Sequence, residues 1–254
     1  MEGEPPPAAT APGQVPARAA IVTGASRGIG FAIAEALAED GYALTLTARR
    51  AEPLAEAAAR LEDRGFVVQH VAANLAEEDG IRAIVAAHRE RFGRLDVLVN
   101  NGGVGVGAAA DAHEAKLIDL QLDVNLRAIV LMYREALTLL RAAAAEHQRA
   151  QVINIASIAG KLPQAWLSVY AATKAGVIAY TQAMNRELGA EGIRSVALCP
   201  GWVDTDMSDF IKQKIPPEQM IRPADLAAAV RFVLQLSPAA VVPEIVFERP
   251  DGGF

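Results

Sequence analysis

Cysteine is almost missing from this chain. The single one, Cys199, excludes any disulfide within the chain and leads us to expect a reducing, cytoplasmic setting. An excess of positive charge is also missing. Lys and Arg number 24 against 30 Asp and Glu, a formal net charge of −6, which argues against nucleic acid or an anionic membrane surface as a partner. No apolar run approaches the roughly 20 residues needed to cross a bilayer. Ligand spacing for a metal is missing too, since His70, His88, His113 and His147 lie far apart, and His88 and His147 are expected to be solvated on helices. Cys199, next to Pro200, reads as a small buried residue and not as a nucleophile. No repeat of fixed period and no internal linker interrupts the body.

What the chain does have is apolar substance. Hydrophobic residues make up 52 % of its 254 positions, enough for one large α/β domain over 17–254. The opening "MEGEPPPAATAPGQVP", residues 1–16, is Pro- and Ala-rich and reads as a disordered tail, without the basic and apolar regions of a signal peptide. From Ala17 onward, short apolar runs alternate with helical patterns: "RAAIVTG", "ALTLTAR", "FVVQHVAAN", "LDVLVNNGG", "AQVINIAS", "IRSVALCPG" and a last short "PEIVFE" are the strands. Continuous apolar strands separated by helices imply a doubly wound parallel sheet, a Rossmann fold of about seven strands with helices on both faces. Residues 115–148 read as one long helix.

The turn "TGASRGIG", Thr23 to Gly30, lies between the first strand and the first helix. Gly24, Gly28 and Gly30 allow a tight turn and close backbone approach to a diphosphate, and the helix N-terminus adds unpaired N–H groups. Further along come "NNGG" for the usual Asn-Asn-Ala-Gly, then "DVN", "NIAS", "YAATK" and "PGWVDTDM". In that order and spacing, from about Ala17 to Leu236, the chain resembles the short-chain dehydrogenase/reductase family, core type. The resemblance implies an oxidoreductase that moves a hydride between a nicotinamide cofactor and a carbonyl or alcohol.

Tyr170 and Lys174 stand at i and i+4, on one helical face. A Lys charge roughly 4 Å from a phenol is worth up to about 4 kcal/mol at an effective dielectric near 20, enough to draw a Tyr toward neutrality. The pair is thus expected to be a proton donor with its own tuning charge. Ser157 lies thirteen residues upstream of Tyr170, at a strand end. The resemblance implies that Ser157 bonds the substrate carbonyl, Tyr170 gives the proton and Lys174 also holds the nicotinamide ribose. It further implies that Asn125 kinks its helix and holds a relay water. By the same resemblance the cofactor is held by Gly24, Ser26, Arg27, Gly28, Ile29, Gly30, Arg49, Asn74, Leu75, Asn101, Gly102, Gly103, Tyr170, Lys174, Pro200, Gly201, Val203 and Thr205, with Asn100 at the same sheet edge. Thr205 matches the family's contact to the nicotinamide carboxamide and reads also as a helix N-cap.

The second strand ends "TLTARR" without an acid, and Arg49 stands where members that prefer NADP carry an Arg. With Arg27 it makes two guanidiniums for a 2′-phosphate, so NADP(H) is the expected cofactor. Asn74 replaces the usual Asp beside the adenine but keeps a carbonyl acceptor. Three loops should bound the substrate pocket: the one after Gly103, the one between Ser157 and Tyr170, and residues 202–222. They offer Trp166, Trp202, Met207 and Phe210, which favours an apolar or partly apolar carbonyl compound, with "DFIKQKIPPEQMIRP" as a lid.

Reduction of 3-oxoacyl groups on an acyl-carrier protein is the alternative substrate reading. Glu191, where such enzymes usually carry a basic residue, weighs against that acidic partner. A dinucleotide-binding sensor without turnover, or an isomerase or dehydratase on the same fold, are the readings of other classes. The resemblance implies a homodimer through the two long helices, or a homotetramer, with the atypical "AVVPEIVFERPDGGF" end bearing on which.

Overall fold

The computed structural model describes residues 17–250. The expected tail, residues 1–16, lies outside the described residues. Seven parallel strands form one sheet: β1 (Ala19–Thr23), β2 (Ala43–Ala48), β3 (Val68–Ala72), β4 (Val97–Asn100), β5 (Ala150–Ile155), β6 (Ile193–Pro200) and β7 (Glu244–Phe247). Their order is β3-β2-β1-β4-β5-β6-β7. The chain winds outward from β1 to β3, then returns to begin again at β4. The switch point therefore falls between β1 and β4, and a crevice opens at their carboxyl ends. This is the Rossmann architecture that the alternating pattern implies.

Two apolar layers sandwich the sheet. On one face, α1 (Gly28–Glu39), α2 (Ala51–Glu62) and α7 (Pro223–Gln235) bury Ile33, Leu37, Leu54 and Leu226 against strand residues Val22, Leu46 and Val99. On the other, α3 (Glu78–Phe92), α5 (Ala128–His147) and α6 (Ser168–Leu188) bury Ile84, Met132, Leu140 and Val177 against Ile21, Leu98 and Val152. Alternate strand residues feed the two layers, as the pleat requires. The central strands β1, β4 and β5 are buried throughout, whereas the edge strands β3 and β7 are only partly covered.

Two expectations need correction. The long helix is not continuous. An α-helix, α4 (Ala115–Leu122), passes into a π-helical turn at Asp123–Arg127 before α5 begins, because the Asn125 side chain leaves the helix to bind a loop. His88 is not solvated but fully buried, bonded at 2.7 Å to Thr45 Oγ1 and at 2.7 Å to the Arg94 carbonyl. Burial pulls its pKa down to about 4. It falls on the inner stripe of α3 with Ile81, Ile84 and Phe92, at spacings of three to four residues, and that pattern is visible in the sequence.

Candidate active site

Thr23, the last residue of β1, ties the two central loops together. Its Oγ1 accepts the N–H groups of Asn101 and Gly102, both at 2.9 Å, and donates to the Val99 carbonyl. Asn101 Nδ2 donates in return to the carbonyls of Thr23 (2.9 Å) and Gly24 (3.1 Å). The sequence reading missed Thr23 in this role. Its signal was its place at the strand end, immediately before the glycine turn.

Gly24 and Gly30 in that turn have no room for side chains. A Cβ at Gly24 would lie 2.7 Å from Asn101 Nδ2, and one at Gly30 only 2.4 Å from the Gly24 carbonyl oxygen. Gly24 and Gly28 both have positive φ, 65° and 57°. α1 then starts with no side-chain cap, so its first N–H groups remain available to an anion. A bare backbone cradle at a helix N-terminus fits the diphosphate of a dinucleotide. Ser26 lies half-buried in the turn, and Ile29 packs onto the core below it. In "NNGG" the usual alanine's place is Gly102, where a Cβ would meet the flexible tip of Leu75 at 2.4 Å.

The flanking positions divide into those left available and those already engaged. Arg49 is exposed beyond the end of β2. Arg27 forms an ion pair with Asp206. Asn74 Oδ1 accepts the Ala76 N–H at 3.2 Å and its Nδ2 donates to Glu77 at 2.9 Å, so the side chain also closes its own turn. Pro200 ends β6, the Gly201 N–H is taken by the Phe247 carbonyl at 2.9 Å, and Val203 is buried in a bridge with Ile221. Thr205 precedes a short 3₁₀ segment, Asp206–Ile211, without capping it, and its methyl faces Gly28. Asn100 departs from expectation: its Nδ2 donates to Asn154 Oδ1 at 2.8 Å, within the buried sheet. Asn154 continues to Tyr133 and Thr181, and Tyr133 to Ser195, a polar network behind the crevice.

Ser157 follows β5, and its Oγ accepts the Ala159 N–H at 3.1 Å. The Ser157 loop lies directly on α6, since a Cβ at Gly160 would come within 2.7 Å of the Lys174 backbone. Ser157 is thereby a hydrogen-bonding neighbour of the Tyr170 phenol in the first turn of α6. Lys174 is only 4 % exposed, and its Nζ donates to the Ile155 carbonyl at 2.7 Å. Asn125 reaches across from the π turn. Its Oδ1 accepts the Val104 N–H, while its Nδ2 donates to the Val104 carbonyl, both at 2.8 Å, and to Thr173 Oγ1 at 3.2 Å. Gly103 runs between them, with a Cβ position 3.3 Å from Asn125 Oδ1 and 3.6 Å from Lys174 Nζ. Asn125, Ser157, Tyr170 and Lys174 thus converge. Thr173 and Gly160, which support them, carried no sequence signal that was read.

The electrostatics correct the charge-tuning expectation. Burial pushes the Tyr170 phenol above its ordinary value, with the Ser157 hydrogen bond opposing it. Burial pulls Lys174 down to about 8. The ammonium sits 5.6 Å from the Tyr170 ring centroid and is turned toward a carbonyl. Desolvation therefore outweighs the Lys charge, and the phenol is kept protonated.

Above this cluster the three expected loops do meet. The Trp166 carbonyl accepts the Ala108 N–H at 2.8 Å, and its ring occupies the space a Cβ on Gly107 would need. Trp166 stands edge-on to Phe210 at 6.0 Å, and Phe210 edge-on to Trp202 at 5.5 Å. Phe210 is 59 % exposed, and Met207 is exposed next to it. The segment after Val203 is closed at its base by the Asp204 N–H to the Ile221 carbonyl (2.8 Å) and within by Lys212 to Asp204 and Asp209, both 2.9 Å. Among the described residues no group of three or more His, Cys, Asp or Glu could hold a metal, and no helix is long and apolar enough to cross a membrane.

Known proteins are similar to this chain in sequence and fold. A putative ketoacyl reductase of the granaticin polyketide synthase from Streptomyces violaceoruber is 34 % identical, over 92 % of each chain. The crystal structure of a variant of the actinorhodin polyketide ketoreductase with NADPH superposes with a TM-score of 0.85 at 28 % identity, covering 93 % of this chain and 98 % of that one. A 3-ketoacyl-(acyl-carrier-protein) reductase from Brucella melitensis, complexed with NADH, gives 0.84 at 28 % identity, covering 94 % and 100 %. Residues 18–216 match the short chain dehydrogenase family profile, and with the glycine cradle and the Asn125–Ser157–Tyr170–Lys174 cluster beside it, the chain belongs to that family of oxidoreductases.

Proposed function

We propose that the protein is an NADPH-dependent reductase of apolar carbonyl compounds, interconverting a ketone or aldehyde with its alcohol. One observation carries the reading: a Ser–Tyr–Lys cluster, with Ser157 and Lys174 buried and Tyr170 half-buried, lies between a dinucleotide cradle and a mouth walled by Trp166, Phe210 and Trp202. When bound, NADPH would supply the hydride, and the chain supplies position and protons.

The Ser157 hydroxyl donates to the substrate carbonyl oxygen and fixes its direction. Tyr170, kept as a phenol by burial, gives that oxygen its proton as negative charge develops there. Lys174 stabilises the resulting phenolate and returns a proton toward it. Asn125 has both ends of its side-chain amide committed to Val104 and Thr173, so its part is to hold the loop after β4 against α6. Arg49 and Arg27 would hold the 2′-phosphate. A homodimer through the outer faces of α5 and α6 is part of the proposal, with Leu122 and Val130 exposed beside that face.

Reduction of 3-oxoacyl thioesters is the second reading. The names of the similar ketoacyl reductases favour it. So does the pairing of Glu191 with Arg141, at 2.6 and 3.0 Å, which neutralises the carboxylate that weighed against an acidic carrier. NADPH consumption over apolar cyclic ketones and 3-oxoacyl thioesters decides between the two. Turnover of either class that requires Tyr170 supports the reductase reading. Tight NADPH binding with no turnover of either class would favour a sensor.

A further inference from the structure

Arg27 and Asp206 are 179 residues apart in the chain and form an ion pair across the mouth of the cofactor crevice. Arg27 immediately precedes α1 in the glycine turn, and Asp206 opens the short 3₁₀ segment after β6. The two loops also touch through apolar atoms: a Cβ at Gly28 would lie 3.1 Å from Thr205 Cγ2. The backbone therefore holds the carboxylate near the guanidinium. Asp206 is left to Arg27, because the nearby Lys212 is engaged by Asp204 and Asp209. Among the described residues, Arg49 has no carboxylate partner.

We propose that Asp206 is a specificity residue for the cofactor, competing with the 2′-phosphate of NADP(H) for Arg27. The proposal rests on the NADPH reading above. An ion pair whose side chains are 69 % and 56 % exposed is weak and readily exchanged. A 2′-phosphate offers Arg a stronger, bidentate anion, so NADPH binding draws Arg27 away from Asp206. NADH has no such group and leaves the pair in place. Asp206 therefore opposes NADPH alone, by the strength of one exposed ion pair, and lowers the selectivity that Arg27 and Arg49 confer.

The test is direct titration of cofactor binding, by calorimetry or by the reduced nicotinamide's fluorescence, with no substrate present. Wild type, Asp206→Asn, Arg27→Ala and the double variant are each titrated with NADPH and with NADH. Asp206→Asn should tighten NADPH about two- to five-fold and leave NADH unchanged. Arg27→Ala should weaken NADPH and abolish the Asp206 effect in the double variant. If Asp206→Asn leaves NADPH unchanged, weakens it, or moves both cofactors equally, while Arg27→Ala still weakens NADPH, the competition is refuted and the NADPH reading stands. If Arg27→Ala leaves NADPH unchanged and wild type prefers NADH, the cofactor reading fails and the competition with it.

Discussion

The two halves of the site are built differently. The cofactor half is held by bonds between side chain and backbone: the Thr23 hydroxyl and the Asn101 amide join the loops after β1 and β4 through four short hydrogen bonds, and Gly24 and Gly30 press against them with no room for a methyl group. The substrate half is held by aromatic contacts: three rings from two loops meet edge to face, with Phe210 and Met207 open to solvent. A backbone cradle can recognise only what every dinucleotide shares. A ring-walled mouth can change with each substrate while the sheet beneath stays fixed.

The sharpest way to divide the halves is to remove the proton between them. Tyr170→Phe should lower kcat by about 10²- to 10⁴-fold while cofactor affinity, read by titration, is unchanged. Breaking the rigid half comes next. Gly30→Ala puts a methyl group 2.4 Å from the Gly24 carbonyl and should cost about 1–3 kcal/mol in chemical denaturation, with NADPH affinity lost alongside. Solvent-side changes should be milder. Lys174 titrates near 8, below its ordinary value, so its ammonium is present at lower pH and disappears as pH rises through 8. The reduction rate should then fall up to tenfold per pH unit above about 8, and a profile flat into strongly alkaline pH would contradict a role for that proton. Least of all, Phe210→Ala should raise KM for apolar ketones a few-fold with unfolding shifted by less than about 0.5 kcal/mol, because the ring is largely exposed.

The sheet was legible because its central strands are buried on both faces and read as apolar runs, such as "AAIVT" and "VLVN". Tyr170 and Lys174 were legible because a helix turns i and i+4 to one side. Their electrostatics were not, since the sequence carries the charge of Lys174 but not the burial that overrides it. Nor was the Arg27–Asp206 pair, because nothing local announces a partner 179 residues away. His88 is a different case: the stripe Ile81, Ile84, His88, Phe92 marks it as buried, and only its polarity suggested solvent.

The central claim is that Tyr170 gives the proton while a hydride arrives from the neighbouring cradle. Its most direct test uses NADPH deuterated at the transferring position, with an apolar cyclic ketone and a 3-oxoacyl thioester as substrates, in wild type and Tyr170→Phe. The account predicts deuterium on the former carbonyl carbon of the product alcohol with wild type, and almost none with Tyr170→Phe despite normal NADPH binding. Label transfer by Tyr170→Phe at the wild-type rate would contradict it.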